Sequence, residues 1–114
     1  AAKYFLNAGV ATFVEKPLAA NVADATTLSN LASAADCILQ VGHIERFNPA
    51  FVATQERSGF PLYIRCQRVS PYTFRSTDIG VVHDLMIHDI DLALALTGQM
   101  PSSVDAFGAV GIAS

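Results

Sequence analysis

Three ionisable residues share one face of an otherwise apolar stretch near the end of the sequence. Asp84, His88 and Asp91 lie at positions i, i+4 and i+7, so a helix would project them from one side. Residues 80–97 are otherwise mostly apolar, which predicts a long, buried helix ended by Gly98. Buried charges need a partner or a task. A histidine oriented by a carboxylate is a natural general base near neutral pH, so the face predicts proton-transfer chemistry. The alternative is that these side chains only bond to backbone or to arginines.

The same helix raises the question of a metal site, because histidine and carboxylate side chains bind zinc and iron. His83 and Asp89 flank the three residues above. However, His83 and His88 are five positions apart, which at 3.6 residues per turn separates them by about 140° around the helix. They do not converge, so the sequence predicts no metal ligand.

Lys16 is the second candidate for chemistry. It follows the β-rich apolar run at residues 10–14, and Pro17 restricts its backbone to extended conformations. A lysine at the carboxyl end of a buried strand, beside Glu15, is placed to meet a ligand. The other interpretation is a solvated lysine at a strand end.

Two arginines lie near the predicted strand and helix ends. Arg46 is a candidate for a structural ion pair with Glu45 or Glu15. Arg75 lies in a polar loop before the helix that carries His88, where it could bind an anionic substrate group such as phosphate. A solvent-exposed loop arginine is an equally good interpretation of Arg75.

The first third of the chain has the pattern of one βαβ unit. Apolar runs at residues 10–14 and 37–41 predict buried strands, and Asn21 predicts the N-cap of a helix between them. Right-handed crossover makes such strands parallel. Ligands of open α/β sheets lie beyond the carboxyl ends of the strands, which here are the Glu15–Pro17 and Gly42–His43 segments.

The pattern changes after residue 43. Asn48 and Pro49 predict the start of a helix that runs to Gly59. Residues 62–69 alternate in polarity, and residues 104–110 are again β-rich, so both predict strands. We therefore predict an α/β fold: residues 1–43 end a doubly wound parallel-sheet domain, and residues 44–114 begin an α+β domain.

Composition excludes several classes of protein. Of 114 residues, 52% are hydrophobic and 15% charged, which predicts a packed core. The net charge of −3 gives no basic footprint for nucleic acid, and the apolar runs are too short to span a bilayer. Cys37 and Cys66 lie in apolar strand-like segments, which predicts buried free thiols and a cytoplasmic protein. The chain opens on what reads as the end of a helix closed by Gly9, so we expect a piece of a longer protein.

Three segments together resemble the Gfo/Idh/MocA family of oxidoreductases. They are Val-Glu-Lys-Pro at 14–17, Gly-His-Ile-Glu-Arg-Phe-Asn-Pro at 42–49, and Asp-Leu-Met-Ile-His-Asp-Ile-Asp at 84–91. Their order and spacing cover essentially the whole chain. The second segment, and the longer stretch 76–91 that contains the third, are most similar in sequence to members that oxidise the 3-hydroxyl of a UDP-linked N-acetylated hexosamine. The resemblance implies a Rossmann-like sheet followed by a substrate domain, a sugar or nucleotide-sugar substrate, and a homo-oligomer.

The resemblance also implies roles for individual residues. Lys16 would lie near the nicotinamide of NAD or NADP and the reacting carbon. Glu15 and Pro17 would shape the cofactor edge, with an unusual peptide geometry before the proline. His88 would take the hydroxyl proton, and Asp84 would hold substrate or orient the histidine.

Arg46 would then stand close to the cofactor. The presence of Lys16, Asp84 and His88 together favours turnover over the alternative, a non-catalytic binding or regulatory protein of the same shape. One departure matters: no Gly-x-Gly-x-x-Gly occurs in the chain, so we expect residues 1–114 alone to be inactive and to lack the pyrophosphate anchor.

Overall fold

The computed structural model describes residues 1–69 and 79–109. The elements, in chain order, are α1 (Ala2–Asn7), β1 (Thr12–Glu15), α2 (Val22–Ala34), β2 (Leu39–Gly42), a 3₁₀ turn (Ile44–Phe47), α3 (Pro49–Arg57), a π-helical segment (Val82–Met86) and α4 (Ile87–Thr97).

The first half of the chain forms the predicted βαβ unit. β1 and β2 pair in parallel, with Thr12 opposite Leu39 and Glu15 opposite Gly42. The crossover helix α2 begins at Asn21, whose side chain accepts a hydrogen bond from the backbone N–H of Asp24 at 2.9 Å. A Rossmann-like parallel sheet is thereby confirmed for this part of the chain. The register places the carboxyl ends of both strands side by side.

A small core lies between α1, α2 and the sheet. Leu6 of α1 is fully buried and Ala32 of α2 is 6% exposed. α1 packs against both α2 and β1. The opposite face of the sheet is open, since Phe13 of β1 is 60% exposed.

α3 confirms the start that the sequence predicts. The side chain of Asn48 accepts a hydrogen bond from the backbone N–H of Ala50 at 3.0 Å, and Pro49 occupies the first helical position. The helix ends at Arg57, close to the predicted Gly59.

The long helix predicted over residues 80–97 is formed, but its first part is π-helical. A π-helical turn closes with i→i+5 bonds, so side chains there depart from the 3.6-residue period on which the prediction of one shared face depended. Gly98 ends α4, as predicted, and its backbone is in the left-handed conformation at φ 62.

The prediction that this helix is buried is wrong for the described part of the chain. Val81 is 58% exposed and Ile90 is 45% exposed, whereas Asp91 is buried. Asp91 is the one buried residue of α4, and it lies where α4 packs against the 3₁₀ turn that carries Arg46.

The two later strands that the sequence predicts do not form over the described residues 62–69 and 104–109. A strand is held by backbone hydrogen bonds to a neighbouring strand. In the described part of the chain neither segment has such a neighbour, so alternation of polarity alone did not produce a strand.

Two further predictions concern the cysteines and the possibility of a membrane-spanning helix. Cys37 is half-buried and Cys66 is exposed, so the prediction of two buried thiols is wrong, although both are free. Cys66 is exposed because it lies in the unpaired 62–69 segment. Among the described residues, no helix has the length and apolarity required to cross a membrane.

Candidate active site

Lys16 joins the end of β1 to the π-helical segment. Its Nζ donates a hydrogen bond to the backbone carbonyl of Asp84 at 2.6 Å and lies 3.5 Å from Oδ1 of the same residue. The Lys16 side chain is 19% exposed and that of Asp84 is 39% exposed. The peptide bond between Lys16 and Pro17 is cis, which matches the unusual geometry that the family resemblance implies before the proline. Two predicted site residues that are 68 positions apart are thus in contact.

Glu15 lies over the end of the neighbouring strand. A Cβ atom built on Gly42 would stand 2.9 Å from Oε2 of Glu15 and 3.1 Å from the ring of Phe13. Such distances are shorter than ordinary van der Waals contact, so the Glu15 side chain occupies its place only because residue 42 has no side chain. Sequence reasoning did not assign this role to Gly42.

Arg46 and Asp91 form a bidentate ion pair. Arg46 Nε donates to Oδ2 of Asp91 at 2.7 Å, and Nη2 donates to Oδ1 at 2.6 Å. The hydrogen bonds to Asp91 raise the pKa of the Arg46 guanidinium above its ordinary value. The side chain of Asp91 is 8% exposed and that of Arg46 is 46% exposed. The expectation that Arg46 pairs with Glu45 or Glu15 is therefore wrong, because α4 packs against the 3₁₀ turn and brings Asp91 nearer.

His43 and His88 each have a buried ring nitrogen. The Nδ1 atom of His43 lies 3.7 Å from Oδ1 of Asp91. Neither that atom nor Nδ1 of His88 has a hydrogen-bond partner within the described ranges 1–69 and 79–109. Buried polar atoms are usually paired, so these two nitrogens are exceptions within the described residues.

Oδ1 of Asp84 lies 3.5 Å from Nζ of Lys16, and the Asp84 carboxylate accepts no hydrogen bond from Nδ1 of His88. The three residues predicted to share a face therefore divide their contacts. Asp84 contacts Lys16, Asp91 contacts Arg46, and Nδ1 of His88 has no hydrogen-bond partner among the residues that the structure describes. The proposal that Asp84 orients His88 stays a prediction.

A second bidentate pair on α4 was not predicted. Arg68 Nε and Nη2 donate to the two carboxylate oxygens of Asp89 at 2.9 and 2.8 Å. These hydrogen bonds hold the pKa of Asp89 below its usual range and raise the pKa of Arg68. The sequence offered no local signal, because the two residues are 21 positions apart.

Two other sequence predictions concern positions away from these contacts. Arg75 lies outside the described residues, and its substrate contact stays a prediction. His83 is exposed. Within the described residues, no group of three or more His, Cys, Asp and Glu side chains is close enough to hold a metal ion.

A family model matches the first part of the chain. The model described as "Oxidoreductase family, NAD-binding Rossmann fold" matches residues 1–43, the segment that forms the βαβ unit. Residues 1–43 are therefore similar to the Gfo/Idh/MocA family model. The matched segment includes the parallel sheet and Lys16 at its edge.

Curated relatives extend the likeness along the chain. UDP-N-acetylglucosamine 3-dehydrogenase of Acidithiobacillus ferrooxidans is 38% identical over 112 residues, which is 97% of this chain and 36% of that protein. scyllo-Inositol 2-dehydrogenase (NAD(+)) of Bacillus subtilis is 32% identical over 111 residues, covering 90% of this chain and 32% of the relative. The chain therefore spans about a third of the length of the curated relatives it matches.

A solved structure shares the fold. The structure of UDP-N-acetylglucosamine 3-dehydrogenase from Acidithiobacillus ferrooxidans superposes with a TM-score of 0.88 at 38% identity. The alignment covers 98% of this chain and 37% of the other. The arrangement of the βαβ unit and the following helices is therefore that of a known dehydrogenase.

Proposed function

We propose that the protein that carries this chain is an oxidoreductase that moves a hydride between NAD or NADP and a hydroxyl of a sugar or nucleotide sugar. The single observation that carries the proposal is the contact between Lys16 and Asp84, because it brings the edge of an NAD-binding sheet onto the segment that precedes His88. The substrate class is supported by the relatives, whose names specify UDP-N-acetylglucosamine and inositols.

The residues at the strand ends suit a nicotinamide cofactor. Lys16 supplies a cation, Glu15 a carboxylate held over Gly42, and His43 and His88 supply buried nitrogens without partners in the described part of the chain. Within the proposal, Glu15, Lys16, Pro17 and Arg46 hold the cofactor, which when bound accepts a hydride from the substrate carbon.

In the proposed reaction the chain itself handles the proton. The Lys16 ammonium hydrogen-bonds to the substrate hydroxyl and favours its ionised form. His88 takes the hydroxyl proton as the carbon loses its hydride, which is general-base catalysis by an imidazole. Asp84 holds Lys16 in place through its backbone carbonyl and is available for a substrate hydroxyl through its carboxylate.

The test is the variant His88→Asn in the full-length protein, assayed for NAD reduction with UDP-N-acetylglucosamine and with an inositol. We expect kcat to fall about 100- to 10,000-fold, the usual contribution of a general base. His83→Asn is the matched control, because His83 precedes it on the same helical run and is exposed. Full activity of His88→Asn at neutral pH would overturn the assignment. A parent that binds sugar without reducing NAD would instead be a non-catalytic binding or regulatory protein.

We also propose that this protein is cytoplasmic and assembles as a homo-oligomer. The first proposal is supported by its two free cysteines, since disulfides mark oxidising compartments. The second is supported by the family resemblance. Size-exclusion chromatography with light scattering measures the assembly directly, and a monomer at micromolar concentration would contradict it.

A further inference from the structure

Two cation–carboxylate contacts bracket His88 along its helix. Before it, Asp84 meets Lys16 from the end of β1. After it, Asp91 meets Arg46 from the 3₁₀ turn that follows β2. Both contacts tie the helical run to the carboxyl ends of the parallel strands, which is the edge where the cofactor of the proposed function would lie.

We propose that Asp91 is a positioning residue for catalysis. Through its bidentate bond to Arg46 it sets the rotation of α4 and the distance of α4 from the strand ends, and therefore the position of the His88 imidazole. The inference rests on the proposed function, because it assigns a second residue to the same site. Asp91 touches neither substrate nor cofactor in this proposal and acts only through His88.

The geometry of the pair suits positioning better than binding. Two parallel N–H···O bonds fix the angle as well as the distance between the groups, which one hydrogen bond from a lysine does not do. Asp91 is one turn beyond His88, so a shift of its carboxylate moves the imidazole with it. The contact that precedes His88 in the sequence, between Lys16 and Asp84, lies in the π-helical segment. The geometry of that segment departs from that of an α-helix.

Burial strengthens the argument. Asp91 is the one buried charged residue in the described ranges of the chain. A buried carboxylate is retained in a structure only when its hydrogen bonds are satisfied, and Arg46 satisfies both oxygens. His43 is the other titratable group that faces it, at 3.7 Å. The pair therefore has one favourable arrangement, which is what a positioning device requires.

The chain contains a matched control. Asp89 on the same helix makes the same bidentate contact with Arg68, but that pair joins α4 to residues 62–69 and not to the strand ends. Asp91→Asn and Asp89→Asn make the same chemical change two residues apart. Only the first disturbs the tie to the sheet.

The experiment measures steady-state kinetics of both variants in the full-length protein with NAD and the substrate that the parent turns over. We expect Asp91→Asn to lower kcat about 10- to 100-fold, as a misplacement of about 1 Å does, and to leave both KM values within about threefold. Asp89→Asn should keep kcat within about twofold. Equal loss in both variants, or no loss in Asp91→Asn, would overturn the inference.

A second measurement separates positioning from general stability. If Asp91 acts through His88, adding Asp91→Asn to His88→Asn should cause no further loss in kcat, since effects on one functional unit are not additive. Multiplicative loss would contradict the inference. Arg46→Lys keeps the charge that the proposed function places near the cofactor and loses the fork, so it should reproduce the kcat loss with KM for NAD changed by less than about threefold. It decides the matter if Asp91→Asn does not fold, because a rise in KM for NAD without a loss of kcat would contradict the inference. A parent without turnover refutes the proposed function, whereas an active parent with an unaffected Asp91→Asn refutes only this inference.

Discussion

At the scale of single residues, each aspartate of the π-helical segment and α4 contacts a different cationic side chain. Asp84, Asp89 and Asp91 meet Lys16, Arg68 and Arg46 respectively. The sequence allowed two interpretations of this charged face: proton-transfer chemistry, or side chains that only bond to backbone or to arginines. The second applies at Asp91, which bonds to an arginine. His88 differs, because its buried Nδ1 has no partner among the described residues. A functional assignment is thus best supported at His88 and is indirect at Asp91.

The Arg68–Asp89 pair predicts a pH dependence of stability. Hydrogen bonding to Arg68 makes the pKa of Asp89 lower in the folded than in the unfolded chain. The pair therefore stabilises the fold fully above the ordinary carboxyl pKa, and this contribution is lost as pH falls through the lowered pKa. We expect Asp89→Asn to reduce the free energy of unfolding by about 1 kcal/mol or less at pH 7, because the pair is partly exposed.

Urea denaturation of parent and variant across acidic pH measures the effect. The difference between them should shrink as the solution becomes strongly acidic, and a difference that grows on acidification would refute the prediction. Asp36→Asn is the control, since Asp36 is exposed and its positive φ of 47 is tolerated by asparagine.

At the scale of elements, the parallel register of β1 and β2 builds the edge of the site. Glu15 and Gly42 are register partners at the last position of each strand. The glycine leaves room for the Glu15 carboxylate, and Lys16 then turns toward Asp84. A side chain at position 42 would disturb the edge without touching His88.

Gly42→Ala should therefore affect cofactor binding more than chemistry. The new Cβ displaces the flexible end of Glu15, so we expect KM for NAD to rise severalfold, a cost below about 1.4 kcal/mol, which is tenfold. The value of kcat at saturating NAD should stay within about twofold of the parent. Gly59→Ala is the control, because nothing lies within 4 Å of a Cβ there. An unchanged KM for NAD would show that Glu15 does not contact the cofactor.

At the scale of the whole molecule, the described chain exposes much apolar surface. Leu62 is 99% exposed and Phe107 is 100% exposed, although 52% of all residues are hydrophobic. Large exposed apolar surfaces mark contact regions in soluble proteins. The curated relatives contain about three times the length of this chain, so they have further sequence that could cover the equivalent surface.

The absence of a glycine-rich phosphate-binding turn from the sequence leads to a prediction for residues 1–114 alone. Such turns bind the pyrophosphate through backbone N–H groups at a helix N-terminus, and this sequence contains no Gly-x-Gly-x-x-Gly. We expect calorimetry to detect no NAD binding by the isolated chain, with circular dichroism of the same sample reporting its helix content. A micromolar dissociation constant would contradict the prediction.

Most of the local structure could be predicted from the sequence. The βαβ order, the N-caps at Asn21 and Asn48, and the stop at Gly98 were all predictable, because caps and periodicity act within a few residues. The strands predicted at 62–69 and 104–110 do not form over their described residues, because local signals are not enough to form a strand. Strand formation depends on a distant partner, which alternation of polarity does not supply.

The pairing of charged side chains depends on the tertiary fold. Lys16 and Asp84 are 68 positions apart, and Arg46 and Asp91 are 45 apart. No local propensity selects Asp91 over Glu45 as the partner of Arg46. That choice follows from the packing of α4 on the 3₁₀ turn, which buries one carboxylate where an arginine can reach it. The sequence specifies the chemistry of each side chain, and the tertiary packing determines which side chains pair.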